Sequence, residues 1–85
     1  MASYRLLFKK SVARDLRKLP TKDLAAILRG IEALAEEPRA RGCKKLAGAD
    51  FYRVRLGSYR IIYEIRDRDL VIQVVRVAHR SSAYS

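Results

Sequence analysis

From residue 51 to residue 66 an apolar or aromatic side chain stands at every second position, and the alternation is interrupted once, at Gly57-Ser58. Period-two alternation marks β-strands with one buried face. A two-residue connection that begins with Gly suits a tight hairpin, because Gly takes the positive φ required at the first position of a type II′ turn. The hairpin then has one register. Leu56 faces Tyr59, Arg55 faces Arg60, Val54 faces Ile61, Arg53 faces Ile62 and Tyr52 faces Tyr63. Tyr52, Val54, Leu56, Tyr59, Ile61, Tyr63 and Ile65 share one face, which Leu70, Ile72 and Val74 extend on a third strand. Phe51, Arg53, Arg55, Arg60 and Glu64 share the other.

The remaining segments supply what covers the apolar face. Residues 4–8 form a short first strand with Tyr4, Leu6 and Phe8 on one side. Ser11 is placed to cap a helix in which Val12, Leu16 and Leu19 make a stripe, and Pro20 ends it. Thr21 is placed to cap a second helix carrying Leu24, Ile27, Leu28, Ile31, Leu34 and Ala35. That helix stops before Pro38, since the residue preceding a proline is pushed out of the α region. Gly30 inside it marks close packing. Residues 38–50 hold Pro38, Gly42, Gly48 and the cations Arg39, Arg41, Lys44 and Lys45, an irregular basic connection. Strands at 51–56, 59–66 and 69–78 follow, with Asp67-Arg68 a poorer turn pair than Gly57-Ser58. The expected fold is α+β with the order β-α-α-β-β-β. Its helical hairpin packs on one face of a mainly antiparallel sheet that a three-strand meander completes. At 85 residues, positions 1–85 make a single domain with no room for a separate cofactor module.

Charge separates the two faces of that sheet. The chain carries 19 Lys+Arg against 9 Asp+Glu, a formal net charge of +10, and from Phe51 onward every cation is Arg. Arg55 directly opposite Arg60, with Arg53 two residues along, is a like-charge cluster that destabilises a sheet by up to about 1 kcal/mol. Fold stability does not explain such a cluster, whereas a bound phosphate does, because the guanidinium fork grips phosphate bidentately. Cys43 is the single cysteine and His79 the single histidine, so neither an intramolecular disulfide nor a structural zinc site is available. No metal and no cofactor are expected. Residues 1–5 lack an apolar core for a secretory signal, and no apolar run approaches the roughly 20 residues that span a bilayer. A cytoplasmic protein without a membrane partner is expected.

The run Tyr52-Arg53-Val54-Arg55-Leu56-Gly57-Ser58-Tyr59-Arg60-Ile61-Ile62-Tyr63-Glu64, followed by Val75-Arg76-Val77-Ala78-His79-Arg80 and Tyr84, resembles the RelE toxins of the RelE/ParE toxin–antitoxin superfamily. The likeness extends to the first strand, the helical hairpin ending in Glu-Pro and the Lys45-Leu46-Ala47-Gly48 connection. It implies a type II toxin that enters the ribosomal A site and cleaves mRNA, an endoribonuclease that inhibits translation. The ribose 2′-hydroxyl attacks the adjacent phosphate without a metal. Carried over residue by residue, the resemblance assigns Arg53, Arg55, Arg60, Arg80 and Tyr84 to catalysis. It also implies a cognate acidic, RelB-like antitoxin as partner, beside the ribosome and mRNA.

The best-known members carry Lys where Arg53 and Arg55 stand. Arg holds its proton too firmly to act readily as acid or base, so here both are better cast as phosphate clamps. His79 is the one side chain whose ordinary pKa suits proton transfer in either direction. Arg39, Arg41, Lys44 and Lys45 are expected to dock RNA or the ribosome, and Phe51 to stack a base. Two other functions fit parts of this pattern: a ParE-like noncatalytic inhibitor of DNA gyrase, and a noncatalytic basic RNA-binding module.

Overall fold

A strand too short to stand alone comes first, and the last strand of the meander accepts it. The computed structural model describes residues 3–46 and 50–79. The elements run β1 (Arg5–Phe8), α1 (Lys10–Arg17), α2 (Thr21–Glu36), β2 (Lys44–Lys45), β3 (Phe51–Leu56), β4 (Tyr59–Arg66) and β5 (Val71–His79). They form one sheet in the order β1-β5-β4-β3-β2, with β1 parallel to β5 and every other pair antiparallel. This is the expected α+β arrangement with one addition, the two-residue strand β2 inside the basic connection.

The apolar face of the sheet meets the two helices. Val12 of α1, Ile27, Ile31 and Leu34 of α2, and Val54, Ile61, Tyr63, Ile65, Ile72, Val74 and Val77 of the sheet form one buried cluster. Tyr4 and Leu6 pack against it, whereas Phe8 stays 41% exposed because α1 begins two residues later and carries the chain off the sheet. Tyr63 is fully buried, and its hydroxyl donates to the Pro38 carbonyl at 2.7 Å. That bond ties the centre of the sheet to the segment after α2. Gly30 lets α2 settle on Leu56, since a Cβ at this position would collide with the Leu56 side chain. The close packing read from the sequence is real.

Both expected helix caps are replaced. Lys9 caps α1 with no side-chain hydrogen bond, and Ser11 lies inside the helix. The Lys9 amide donates to the Val74 carbonyl at 3.1 Å while its carbonyl receives the Val12 amide at 2.9 Å. Sheet pairing therefore sets the start of α1. Pro20 likewise caps α2 in place of Thr21, its carbonyl taking the Leu24 amide at 2.9 Å.

The first hairpin has the predicted register at all five pairs, and Gly57 takes φ +61. Among the described residues Leu70 is the one non-glycine with positive φ, so Ser58 is not left-handed and the turn agrees with type II′. The second hairpin differs from expectation. Residues 67–70 all belong to the turn, β5 starts at Val71, and Leu70 sits at φ 54 with 43% exposure rather than on the apolar face. A left-handed leucine costs about 1–2 kcal/mol, and its exposed side chain returns little. Leu70→Gly is expected to raise the unfolding free energy by about 0.5–1 kcal/mol, net of glycine's larger unfolded-state entropy. Urea denaturation checks this, and a lower midpoint would refute it. No helix among the described residues is long and apolar enough to cross a membrane.

Candidate functional site

Cross-strand pairing gathers the cations of four strands on the face opposite the helices. Lys44 pairs with Arg53, Arg53 with Ile62, and Ile62 with Arg76, one row across β2, β3, β4 and β5. The next row is Arg55, Arg60 and Ala78. Residues two apart on a strand share a face, so Lys44, Arg53, Arg55, Arg60 and Arg76 are neighbours. Arg53 and Arg60 are half-buried, and Arg55 and Arg76 are exposed. On the far side of the Arg53 row lies the row of Phe51, Glu64 and Gln73. Glu64 accepts from Arg66 Nε at 2.9 Å, and Gln73 Oε1 accepts from Arg66 Nη2 at 3.0 Å.

A bulge in β5 decides which residues of the last strand join this face. Tyr63 pairs with Val74 but Ile62 pairs with Arg76, leaving Val75 as an extra residue. Strict alternation from Ile72 and Val74 would put Arg76 among the core side chains and Val77 in solvent. The bulge reverses this: Val77 is buried and Arg76 faces the cations. The sequence carried a signal, since Arg at a core position beside Val at a solvent position is a local contradiction that one inserted residue removes.

The same shift fixes His79. It pairs with Tyr59, whose ring it meets edge-on with centroids 5.3 Å apart, on the helix side of the sheet. There it lines a cavity of about 560 Å³ with Ser11, Asp15 and Lys18. The Tyr59 hydroxyl donates to Asp23 at 2.9 Å, and that bond to a carboxylate holds the phenol above its ordinary pKa. His79 is thus not brought together with Arg53, Arg55 and Arg60. Arg80 and Tyr84 lie outside the described residues.

The basic connection divides as well. Arg39 is tied down: Nη1 and Nη2 donate to the two Asp67 carboxylate oxygens at 3.2 and 2.9 Å, and Nε donates to the Tyr52 hydroxyl at 3.3 Å. Its guanidinium lies 5.3 Å from the Tyr52 ring centre, and Tyr52 stacks on Tyr63 at 6.0 Å. The Tyr4 hydroxyl also donates to Asp67, at 2.8 Å. Arg39 thereby clamps the segment after α2 to the β4–β5 turn. Arg41 is exposed in a turn. Lys44 shares the face of Arg53, while Lys45 pairs with Tyr52 and lies on the other face.

Arg39, then Tyr4, hold the Asp67 carboxyl below its ordinary range. A carboxylate with a lowered folded pKa stabilises above its unfolded pKa, near about 3.9, and that contribution is lost as pH falls through the lower folded value. Asp67→Asn is therefore expected to flatten the acid limb of the stability–pH curve below about pH 4. Thermal unfolding across pH 2–6 checks it, and an unchanged acid slope would count against the clamp.

The family described as the ParE toxin of the type II toxin–antitoxin system parDE matches residues 6–84. Toxin RelG of Mycobacterium tuberculosis is 35% identical over 95% of each chain. The mRNA interferase toxin RelE of Escherichia coli is 29% identical over 98% of this chain and 92% of its own. The crystal structure of the archaeal RelE-RelB complex from Pyrococcus horikoshii OT3 superposes with a TM-score of 0.83 at 34% identity, covering 95% of this chain and 99% of that one. On the sheet, hairpin and cationic face described above, and on these likenesses, the chain belongs to the RelE/ParE toxin superfamily and is a RelE-type member of it.

Proposed function

We infer that this protein is the toxin of a type II toxin–antitoxin system, an mRNA interferase that cleaves the message at the ribosomal A site. Its 85 residues act as one toxin domain in the cytoplasm. The observation that carries the reading is the pairing of Arg55 with Arg60 beside Arg53, a cationic face that weakens the sheet and fits a phosphodiester. The naming of one relative as an mRNA interferase toxin supports the reaction, and the complex from Pyrococcus horikoshii supports an antitoxin partner. For a +10 chain, that partner is an acidic polypeptide.

In the proposed reaction a ribose 2′-oxygen forms a bond to the adjacent phosphorus and the bond from phosphorus to the 5′-oxygen breaks. A 2′,3′-cyclic phosphate and a 5′-hydroxyl result. The 2′ proton passes to a base and the leaving oxygen takes one from an acid. Arg53, Arg55 and Arg60 neutralise the charge that develops on the phosphorane oxygens. Arg80 and Tyr84 complete the set, with Tyr84 as a proton carrier. His79, on the other side of the sheet, is left outside it. Lys44 and Phe51 extend the RNA-contacting surface, Arg41 and Lys45 contribute charge at its margin, and Arg39 serves the fold.

Translation in vitro with toeprinting tests the reading. Cuts within A-site codons are the expected result. Gyrase-dependent DNA breaks without mRNA cleavage would move the protein to the ParE-like class that its family description admits. RNA binding without cleavage would make it a binding module.

A further inference from the structure

We propose that Arg76 is a phosphate-contacting residue of the cleavage site, forming with Arg53 and Arg60 a three-strand seat for one phosphodiester of the message. The proposal deepens the interferase reading and rests on it. Arg53, Arg60 and Arg76 line a cavity of about 190 Å³, together with Leu46, Ile62 and Ala78. The arginines come from β3, β4 and β5 in turn, so the sheet supplies every charged group of the cavity and the connection after β2 adds Leu46 alone. Strand-held side chains present donors with a fixed geometry, which is what phosphate recognition by guanidinium forks demands.

Three features point to a ligand rather than to chance crowding. The bulge at Val75 brings Arg76 onto this face, and bulges re-aim side chains beside functional sites. Arg76 then extends a row that already holds Lys44 and Arg53, which adds repulsion that the fold itself does not need. Beside Arg60 the row ends at Ala78, and this small side chain leaves open the space that a larger one would fill. Leu46, Ile62 and Ala78 give the cavity an apolar floor, suited to the ribose or base edge attached to the bound phosphate.

Single-turnover cleavage of a defined message on programmed ribosomes tests this, with a neutral methylphosphonate placed at each linkage of the A-site codon in turn. Arg76→Gln is expected to slow cleavage about tenfold or more, the scale of losing a charge-assisted hydrogen bond. Arg68→Gln, which removes the same charge from the β4–β5 turn, is expected to leave the rate near wild type. Ala78→Leu, which fills the cavity without changing charge, is expected to slow cleavage as Arg76→Gln does. One linkage should lose rate on neutralisation in the wild type and lose measurably less in Arg76→Gln, where only Arg53 and Arg60 remain to contact it. Equal effects of Arg76→Gln and Arg68→Gln, or an undiminished methylphosphonate effect at every linkage in Arg76→Gln, would overturn the proposal while the wild type still cleaves. A wild type that cuts no message would bring down the interferase reading itself, and this assignment with it.

Discussion

Arg60→Ala is expected to lower the rate of mRNA cleavage on the ribosome by about 100- to 1,000-fold, the range seen when one preorganised donor to a developing oxyanion is removed. Arg60 is half-buried, pairs with Arg55 across the hairpin and lies beside Ile62 and Ala78. Its guanidinium is thus held in surroundings less aqueous than the open surface, where a charge acts more strongly on a neighbouring phosphate. Single-turnover kinetics checks the rate, and a loss smaller than about tenfold would remove Arg60 from the catalytic set. A companion variant separates activity from stability. Arg55→Gln lifts the like-charge contact from the exposed side, so it should slow cleavage while raising the unfolding free energy by up to about 1 kcal/mol. A residue that served only the fold would lose both together.

Tyr63→Ala is expected to destabilise the protein by about 3–5 kcal/mol, the cost of emptying a buried aromatic position. A chain of this length has a total stability on the order of 4–13 kcal/mol at the usual per-residue values, so the variant should be partly unfolded or insoluble at 37 °C. Tyr63→Phe isolates the hydroxyl. It leaves the Pro38 carbonyl without the 2.7 Å donor it has in the native structure, at a cost of about 1–3 kcal/mol. Urea unfolding of both variants checks these values, and a Phe variant as stable as wild type would show that the Pro38 bond adds nothing. Burial pushes the Tyr63 phenol up, with smaller contributions from Cys43 and Tyr52. The folded state therefore keeps this proton to higher pH than the unfolded chain does. Its contribution is complete below the ordinary tyrosine pKa of about 10 and fades as pH rises beyond it, a limb that Tyr63→Phe should lack.

The two predictions draw on opposite faces of one sheet, and the sequence distinguishes those faces to different degrees. The β3–β4 hairpin is legible because it is local: a Gly-led turn of two residues sets the register, and period two then assigns each side chain to a face. Arg53, Arg55 and Arg60 could be grouped before any coordinates. The helices are legible too, since their stripes repeat at helical spacing. Their starts are not, because Lys9 is held by Val74, more than sixty residues away, and no local signal reports that. The second turn eluded the sequence for a different reason. Asp67-Arg68 is a poorer pair for a two-residue turn than Gly57-Ser58, and the chain settles its geometry with a longer turn that places Leu70 in a conformation leucine disfavours.

What the sequence determined by itself was the α+β class, the pairing of β3 with β4 and the concentration of arginine on one face. Each follows from interactions between residues close along the chain. Tertiary structure decided the fate of the basic connection, and it placed the bulge of β5 that the clash of Arg76 and Val77 with strict alternation only signalled. A single inserted residue at Val75 sends Arg76 to the cationic face and His79 to the helical one. Asp67, brought within reach only by folding, converts Arg39 from a free cation into a clamp. The reason is common to both. A bulge and a long-range ion pair depend on what lies across the sheet, and alternation or charge counted along the chain contains no measure of that distance.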